Sequence, residues 1–316
     1  MKDLSELFEG GTLETQKKRK ITFYCICTTL ALIAVMLVVL AVCGIVALVK
    51  NHTPSEPAEQ EVQVSIGATV PTTFDEDQLY SGTLLLLDSS HKYQGKNETV
   101  VLRSSDSRPK TPTGGYAYSI LAAGATDELD FRGTPEAVDA LHLMIKEFYA
   151  SKGDDNLCVV NAFTKSRSDT LDPIYASATT FAFEYYFEFP GTPKTIYGVD
   201  KYTWIYTNAH KYGFINVDTG EEGGSNVFRY VGIPHATYMK TKKLDLESYL
   251  EELKSATVDA PVLTKVGKYT YASYYIPVGA EALVPADYSY TVSGNNTDGY
   301  IVTTIITKKA NTQKAE

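Results

Sequence analysis

Histidine and cysteine are the scarce residues of this chain, with 5 and 4 among 316. The histidines are His52, His91, His142, His210 and His235, so none lies between His142 and His210. Cys25, Cys27 and Cys43 share one apolar stretch near the N-terminus, which leaves Cys158 alone in the remainder. That excludes an intramolecular disulfide framework there, and the main part must be stable through its core. Cys158 falls in the apolar run Leu157-Cys158-Val159-Val160, where a buried structural thiol is expected rather than a nucleophile. An excess of positive charge is also lacking. The 29 basic and 38 acidic residues leave a net charge of −9, against the basic face that a sequence-independent nucleic-acid binder needs.

Apolar residues are plentiful at 44%, enough for a sizeable core, and the length is sufficient for two domains. Residues 21–49 contain no charged residue. Roughly 20 residues of helix span a bilayer, so this segment reads as one transmembrane helix. Lys17-Lys18-Arg19-Lys20 precedes it and only Lys50 follows closely. The positive-inside rule then places residues 1–20 in the cytoplasm and the main domain outside the cell membrane. The apolar core of a cleaved signal peptide would be only about 7–15 residues long. The lipoprotein-like Leu40-Ala41-Val42-Cys43 has Val42 where a small residue is required, and the apolar run continues beyond it. An uncleaved single-pass anchor is the favoured reading.

Residues 50–75 are rich in Pro, Glu, Gln, Ser and Thr and read as an extracytoplasmic linker, with the folded part starting near Glu76. The clearest helix starts at Thr134-Pro135, an N-cap followed by a proline pre-set for the first turn. Ala137, Val138, Leu141, Met144, Ile145 and Phe148 then share one face. His142 lies off that stripe and is expected to be solvated. Strands are expected over 157–162 and 179–189, a helix over 201–212 ended by Gly213, and another over 246–253 capped by Asp245. After residue 256 the texture changes. Residues 268–276, 288–292 and 300–306 alternate as strands, with a Gly- and Asn-rich turn at 293–299. They predict a small C-terminal β-meander over 257–316 that packs on the preceding domain.

One segment carries a specific resemblance. It is Trp204-Ile205-Tyr206-Thr207-Asn208-Ala209-His210-Lys211-Tyr212-Gly213-Phe214-Ile215, then Phe228-Arg229-Tyr230-Val231-Gly232 and Leu246-Glu247-Ser248-Tyr249-Leu250. Its order, spacing and residue types resemble the VanY-type D-alanyl-D-alanine carboxypeptidases, peptidase family M15B. The resemblance covers about Tyr80 to Leu253. It implies an α+β fold over residues 76–256, a zinc D-Ala-D-Ala carboxypeptidase-like domain, and a cell-wall role.

The resemblance also implies a zinc ion held by two His and one Asp, with an open position for water and a Glu that takes the water's proton. The family's first motif runs Ser-x-His-x-x-Gly-x-Ala-x-Asp, and the second runs Glu-x-x-His before Phe-Arg-Tyr-Val-Gly. On Ser177 as anchor, Thr179 stands for the first His and Tyr186 for the Asp. Val227 stands for the second His and Gly224 for the Glu. Thr164 stands for an Arg that helps hold substrate. Thr and Tyr are poor zinc ligands, and Val and Gly offer none. No replacement His is near. His210 and His235 are read as structural or surface imidazoles, and Glu221-Glu222 as a solvated pair.

The leading expectation is therefore a pseudoenzyme without cofactor or catalytic residues. It would bind a peptidoglycan peptide or a cell-wall protein partner, with the membrane reached through residues 21–49. The alternative is an active zinc carboxypeptidase with displaced ligands, and a third option is a purely structural partner of another membrane protein. Groove candidates are Arg229, Tyr186, Tyr185, Trp204 and Tyr230. For Trp204 and Tyr230 a place in the core is the stronger expectation. Arg229 is left between binding a carboxylate and pairing internally. A serine nucleophile at Ser177 lacks a local base. Gly114-Gly115 and Gly223-Gly224 lack the context of a phosphate loop.

Overall fold

The computed structural model describes residues 66–104, 107–120, 130–167, 171–186, 192–218 and 224–306. The transmembrane expectation for 21–49, the cytoplasmic tail and residues 50–65 of the linker lie outside the described residues. Among the described residues no helix is long and apolar enough to cross a membrane. The described part falls within one compact unit that runs from Val64 to Glu316.

The described residues start ten before Glu76. Ile66 is buried, and β1 (Thr69–Thr72) pairs antiparallel with β12 (Ala282–Pro285). The last part of the expected linker is thus a strand of the fold. A short helix, α1 (Glu76–Leu79), follows.

The central sheet has the order β3-β5-β6-β9-β8, with β7 (Lys194–Thr195) paired to β6. Its strands are β3 (Ser119–Ile120), β5 (Leu157–Ala162), β6 (Thr180–Tyr185), β8 (Phe214–Asn216) and β9 (Val227–Tyr230). Among its described pairs only β3–β5 is parallel. A small ribbon of β2 (Val100–Val101) and β4 (Arg132–Gly133) stands beside it.

Helix α2 (Pro135–Lys152) covers one face of this sheet. The Ala137 N–H donates to Thr134 Oγ1 at 3.3 Å, and Gly153 ends the helix in the left-handed region. Such a cap is worth about 1 kcal/mol. The apolar stripe read from the sequence is buried in full and meets Leu157, Val159, Phe181, Phe183, Phe214 and Phe228. Each large side chain so buried contributes about 1.5–3 kcal/mol. His142 departs from expectation. It is buried, with Nε2 at 2.9 Å from Tyr118 Oη and Nδ1 at 2.8 Å from Ser107 Oγ. A polar side chain just off a wide helical stripe can be covered by a neighbouring segment, here the stretch holding Ser107 and Tyr118.

The 201–212 region is helical as a short 3₁₀ turn, α3 (Thr203–Asn208) and a second 3₁₀ turn, closed by Gly213 at φ +86°. Helices α4 (Ile233–Lys242) and α5 (Leu246–Leu253) follow β9. The Ser248 N–H donates to Asp245 Oδ1 at 2.8 Å, the expected cap.

The C-terminal sheet is not a meander. Its strands are β10 (Val262–Val266), β11 (Tyr269–Pro277), β13 (Tyr290–Gly294) and β14 (Gly299–Ile306), in the order β10-β11-β14-β13. Two hairpins are joined along β11–β14, while β12 leaves to pair with β1. The sheet shares one core with the preceding helices, since Tyr249, Leu250, Leu253, Ala272, Tyr274 and Ile301 belong to a single buried cluster.

Candidate functional site

The residues at the family's metal positions lie around β6 and β9. The register pairs Thr180 with Arg229, Phe181 with Phe228 and Ala182 with Val227. Side chains alternate along a strand, so Val227 and Arg229 share a face with Thr180, Ala182 and Glu184. Phe181, Phe183 and Phe228 take the opposite face, under α2. The face that would carry a metal is therefore the one bearing Val227.

That face is dry at Val227. Val227 is buried with Tyr175 and Ala182, and Val160, Leu171, Ile174 and Val217 pack against them. The Glu position is closed as well. Gly224 has φ +89°, and a Cβ there would stand 2.2 Å from the Tyr197 ring. Any side chain at 224 would displace that ring and adopt a backbone conformation that L residues avoid. Thr164 is buried, 3.0 Å from Ser166 Oγ through its hydroxyl.

Thr179 does not join Val227. It is fully buried, its Oγ1 is 2.8 Å from Ser177 Oγ, and its carbonyl accepts from the Tyr230 N–H at 2.8 Å. That bond continues the ladder by one residue and aligns Thr179 with Phe181, away from Val227. A register two residues earlier fits the strand better. It matches the motif's Ala with Ala182, sets Ser177 at the His position and brings Glu184 to the Asp position. The sequence reading missed Glu184; the alternation of Phe181, Phe183 and Tyr185 against Ala182 and Glu184 could have found it.

Glu184 is half-buried, and burial raises its carboxyl pKa. It sits opposite Cys158, whose thiol burial pushes up to about 12, so Cys158 stays protonated and inert. The residues present do not fit the family's zinc. Among the described residues no three of His, Cys, Asp and Glu come close enough to share a metal ion. Glu221 and Glu222 lie outside the described residues.

The five groove candidates part company. Arg229 is buried and donates from Nη2 to the Leu85 carbonyl at 2.6 Å, while its Nε has no hydrogen-bond partner among the described residues. Burial lowers its pKa to about 10. It pins the 85 region to β9, and among the described residues its hydrogen bond goes to a main-chain carbonyl rather than to an acid. Trp204 packs at the core margin, 5.8 Å from the Phe148 ring and 6.2 Å from Tyr212. Tyr185 packs against the same core, 5.0 Å from the Tyr202 ring. Tyr186 follows the end of β6, half-buried, its N–H donating to the Asn156 carbonyl. Tyr230 packs on the core and also lines a cleft of about 740 Å³. This cleft lies beyond the strand ends, bounded by the starts of α2 and α4 and by β13.

His235 holds elements of the fold together. His235 Nδ1 is 2.8 Å from Tyr249 Oη and its Nε2 is 3.3 Å from Thr303 Oγ1, so it ties α4 to α5 and β14. Burial lowers the pKa of both His235 and His210, that of His235 to about 4.

Over 109 residues the chain is 39% identical to a D-alanyl-D-alanine carboxypeptidase of Enterococcus faecium. The chain is a relative of the VanY-type D-Ala-D-Ala carboxypeptidases. That match covers 32% of this chain, and the chain spans about a third (35%) of the length of that relative. No family model matches. The vancomycin-resistance D,D-dipeptidase VanXYg, solved with a D-Ala-D-Ala phosphinate analogue, superposes with a TM-score of 0.56 at 17% identity. That superposition covers 76% of this chain and all (100%) of the other, and at that identity it speaks for the fold alone. VanYB, solved with D-alanine-D-alanine, gives a TM-score of 0.33 at 15% identity over 54% of this chain and 97% of its own, and carries no further argument.

Proposed function

We propose that this VanY-type relative is a membrane-anchored, extracytoplasmic pseudoenzyme that binds at the cell wall, its partner a peptidoglycan peptide or a wall protein. The observation that carries the reading is the closure of position 224. A general base there needs a side chain, and the Tyr197 ring occupies the space where its Cβ would stand. The apolar cluster around Val227 supports it from the metal side. Kinship with a wall peptidase supports the location, and the uncharged 21–49 segment behind Lys17-Lys18-Arg19-Lys20 supports the anchor.

The test is chemical. Full-length protein purified in detergent is assayed for bound zinc and for release of D-alanine from a stem pentapeptide. The expected result is substoichiometric zinc and no release above a no-protein control. Stoichiometric zinc together with chelator-sensitive release overturns the reading in favour of a peptidase with displaced ligands. Glu184 would then be the first residue to test as a ligand.

A further inference from the structure

The C-terminal sheet ends in two edge strands of different character. On one side β10 carries Lys265, a charge of the kind that blunts an edge. On the other side β13, Tyr290-Thr291-Val292-Ser293-Gly294, carries no charge and no proline. Part of its outer edge is already covered by the chain itself. The Gly294 N–H donates to the Ser81 carbonyl at 2.8 Å, and the Leu84 N–H donates to Ser293 Oγ at 2.9 Å.

The Gly294 bond fixes the direction of the rest. In an antiparallel strand the main-chain groups of alternate residues point the same way. Gly294 points away from β14, so Val292 and Tyr290 do too. Among the described residues their N–H and C=O groups have no main-chain partner on that side. The edge is open where the 81–86 segment leaves it, and there it borders the 740 Å³ cleft. Such a volume lies within the range of about 300–1,000 Å³ that holds a small ligand or several residues of a peptide. Tyr230, Tyr271 and Tyr290 supply aromatic walls, and Glu98 and Glu136 stand at the rim with Lys96.

We propose that the open half of β13 is a strand-addition site for an extended all-L polypeptide segment from a partner protein. The segment would pair with Tyr290 and Val292 through its main chain and set alternate side chains in the cleft. A basic residue in it would meet Glu98 or Glu136. The proposal rests on the binding reading above and narrows its two partners to the protein. A stem peptide with D-residues breaks the regular alternation on which strand pairing depends.

The experiment uses the full-length chain in detergent. The probe is a fluorescent nonapeptide of alternating valine and threonine with two lysines, beside a copy N-methylated on alternate amides and a copy containing D-residues. Saturable binding of the first is expected, weakened roughly tenfold or more in both altered copies. In hydrogen exchange, the Tyr290 and Val292 amides should be fast in the free chain and slow with the first peptide. Val292→Pro removes the outward N–H and spares the β14 ladder, so it should abolish binding where Val292→Ala keeps it. Should Val292→Pro fail to fold, the N-methylated peptide still decides the matter.

Equal binding of the N-methylated copy overturns the proposal, as does Tyr290 and Val292 protection in the free chain. So does concentration-dependent dimerisation lost in Val292→Pro, which would make a second copy the occupant. None of these readouts involves zinc or D-alanine, so this proposal and the pseudoenzyme reading fail separately.

Discussion

Val227 faces Tyr175 and Ala182 across a small apolar cluster, and a histidine there would bring a polar ring into it without a fellow ligand. Val227→His is expected to cost about 1–3 kcal/mol of stability, the range for burying an unsatisfied polar group. It should gain no zinc. Urea midpoints with and without zinc check this, and a midpoint raised by zinc would show a latent site. Arg229 makes the opposite point. Arg229 is 3% exposed and its one described hydrogen bond goes to Leu85, so its role lies in the fold. Arg229→Ala leaves the buried Leu85 carbonyl without that donor and opens a cavity. A loss of about 2–4 kcal/mol is expected. A variant as stable as the parent but unable to bind wall material would return Arg229 to a groove.

Two buried histidines tie elements together, His142 holding α2 to the Tyr118 segment and His235 holding α4 to α5 and β14. Burial lowers the pKa of each to about 4; the Asp139 carboxylate works against the shift at His142 and Arg108 with it. In the unfolded chain a histidine titrates near 6.5. Above that pH both states are neutral and these residues give no pH dependence. Between about 6.5 and 4 the unfolded chain takes up protons that the native state refuses. Stability then falls with pH, by up to about 1.4 kcal/mol per unit for each histidine. Urea unfolding at a series of pH values from 7.5 to about 4.5 should show the decline, and His235→Gln should make its slope shallower. A profile that His235→Gln leaves unchanged would mean that the ring takes up its proton as readily in the fold as in the unfolded chain. Neither burial was legible in the sequence. A helical stripe says which face is apolar, not which loop folds over its margin. The start of helix α2 was legible because Thr134 and Pro135 mark it in local chemistry. The order β10-β11-β14-β13 was not, since alternation marks strands and leaves their neighbours open. The same limit shifted the first metal motif by two residues, until the pairing of Ala182 with Val227 fixed the face.

Across the whole described part there are two large cores, and the second ignores the boundary that the sequence texture places near residue 257. Leu84, Val231, Met239 and Leu253 from the carboxypeptidase-like part are buried in one cluster with Ala272, Val284 and Val302. The edge β1 is bound to β12, so even residues 69–72 need the C-terminal segment for their hydrogen bonds. A chain cut after Ala260 would leave the inner faces of α4 and α5 in water and β1 unpaired. At about 25 cal/mol per Å² of apolar surface, losing half a core exceeds the 5–15 kcal/mol that holds an ordinary domain together. The truncated chain is therefore expected to be insoluble or unfolded, and residues 64–316 should melt in one cooperative transition. Calorimetry on the intact chain and circular dichroism on the truncated one check both. Two separated melting transitions, or a folded truncated chain, would make the C-terminal sheet an independent module. A single transition means instead that the open edge of β13 is held in place by the same core that closes around Val231 and the start of α4.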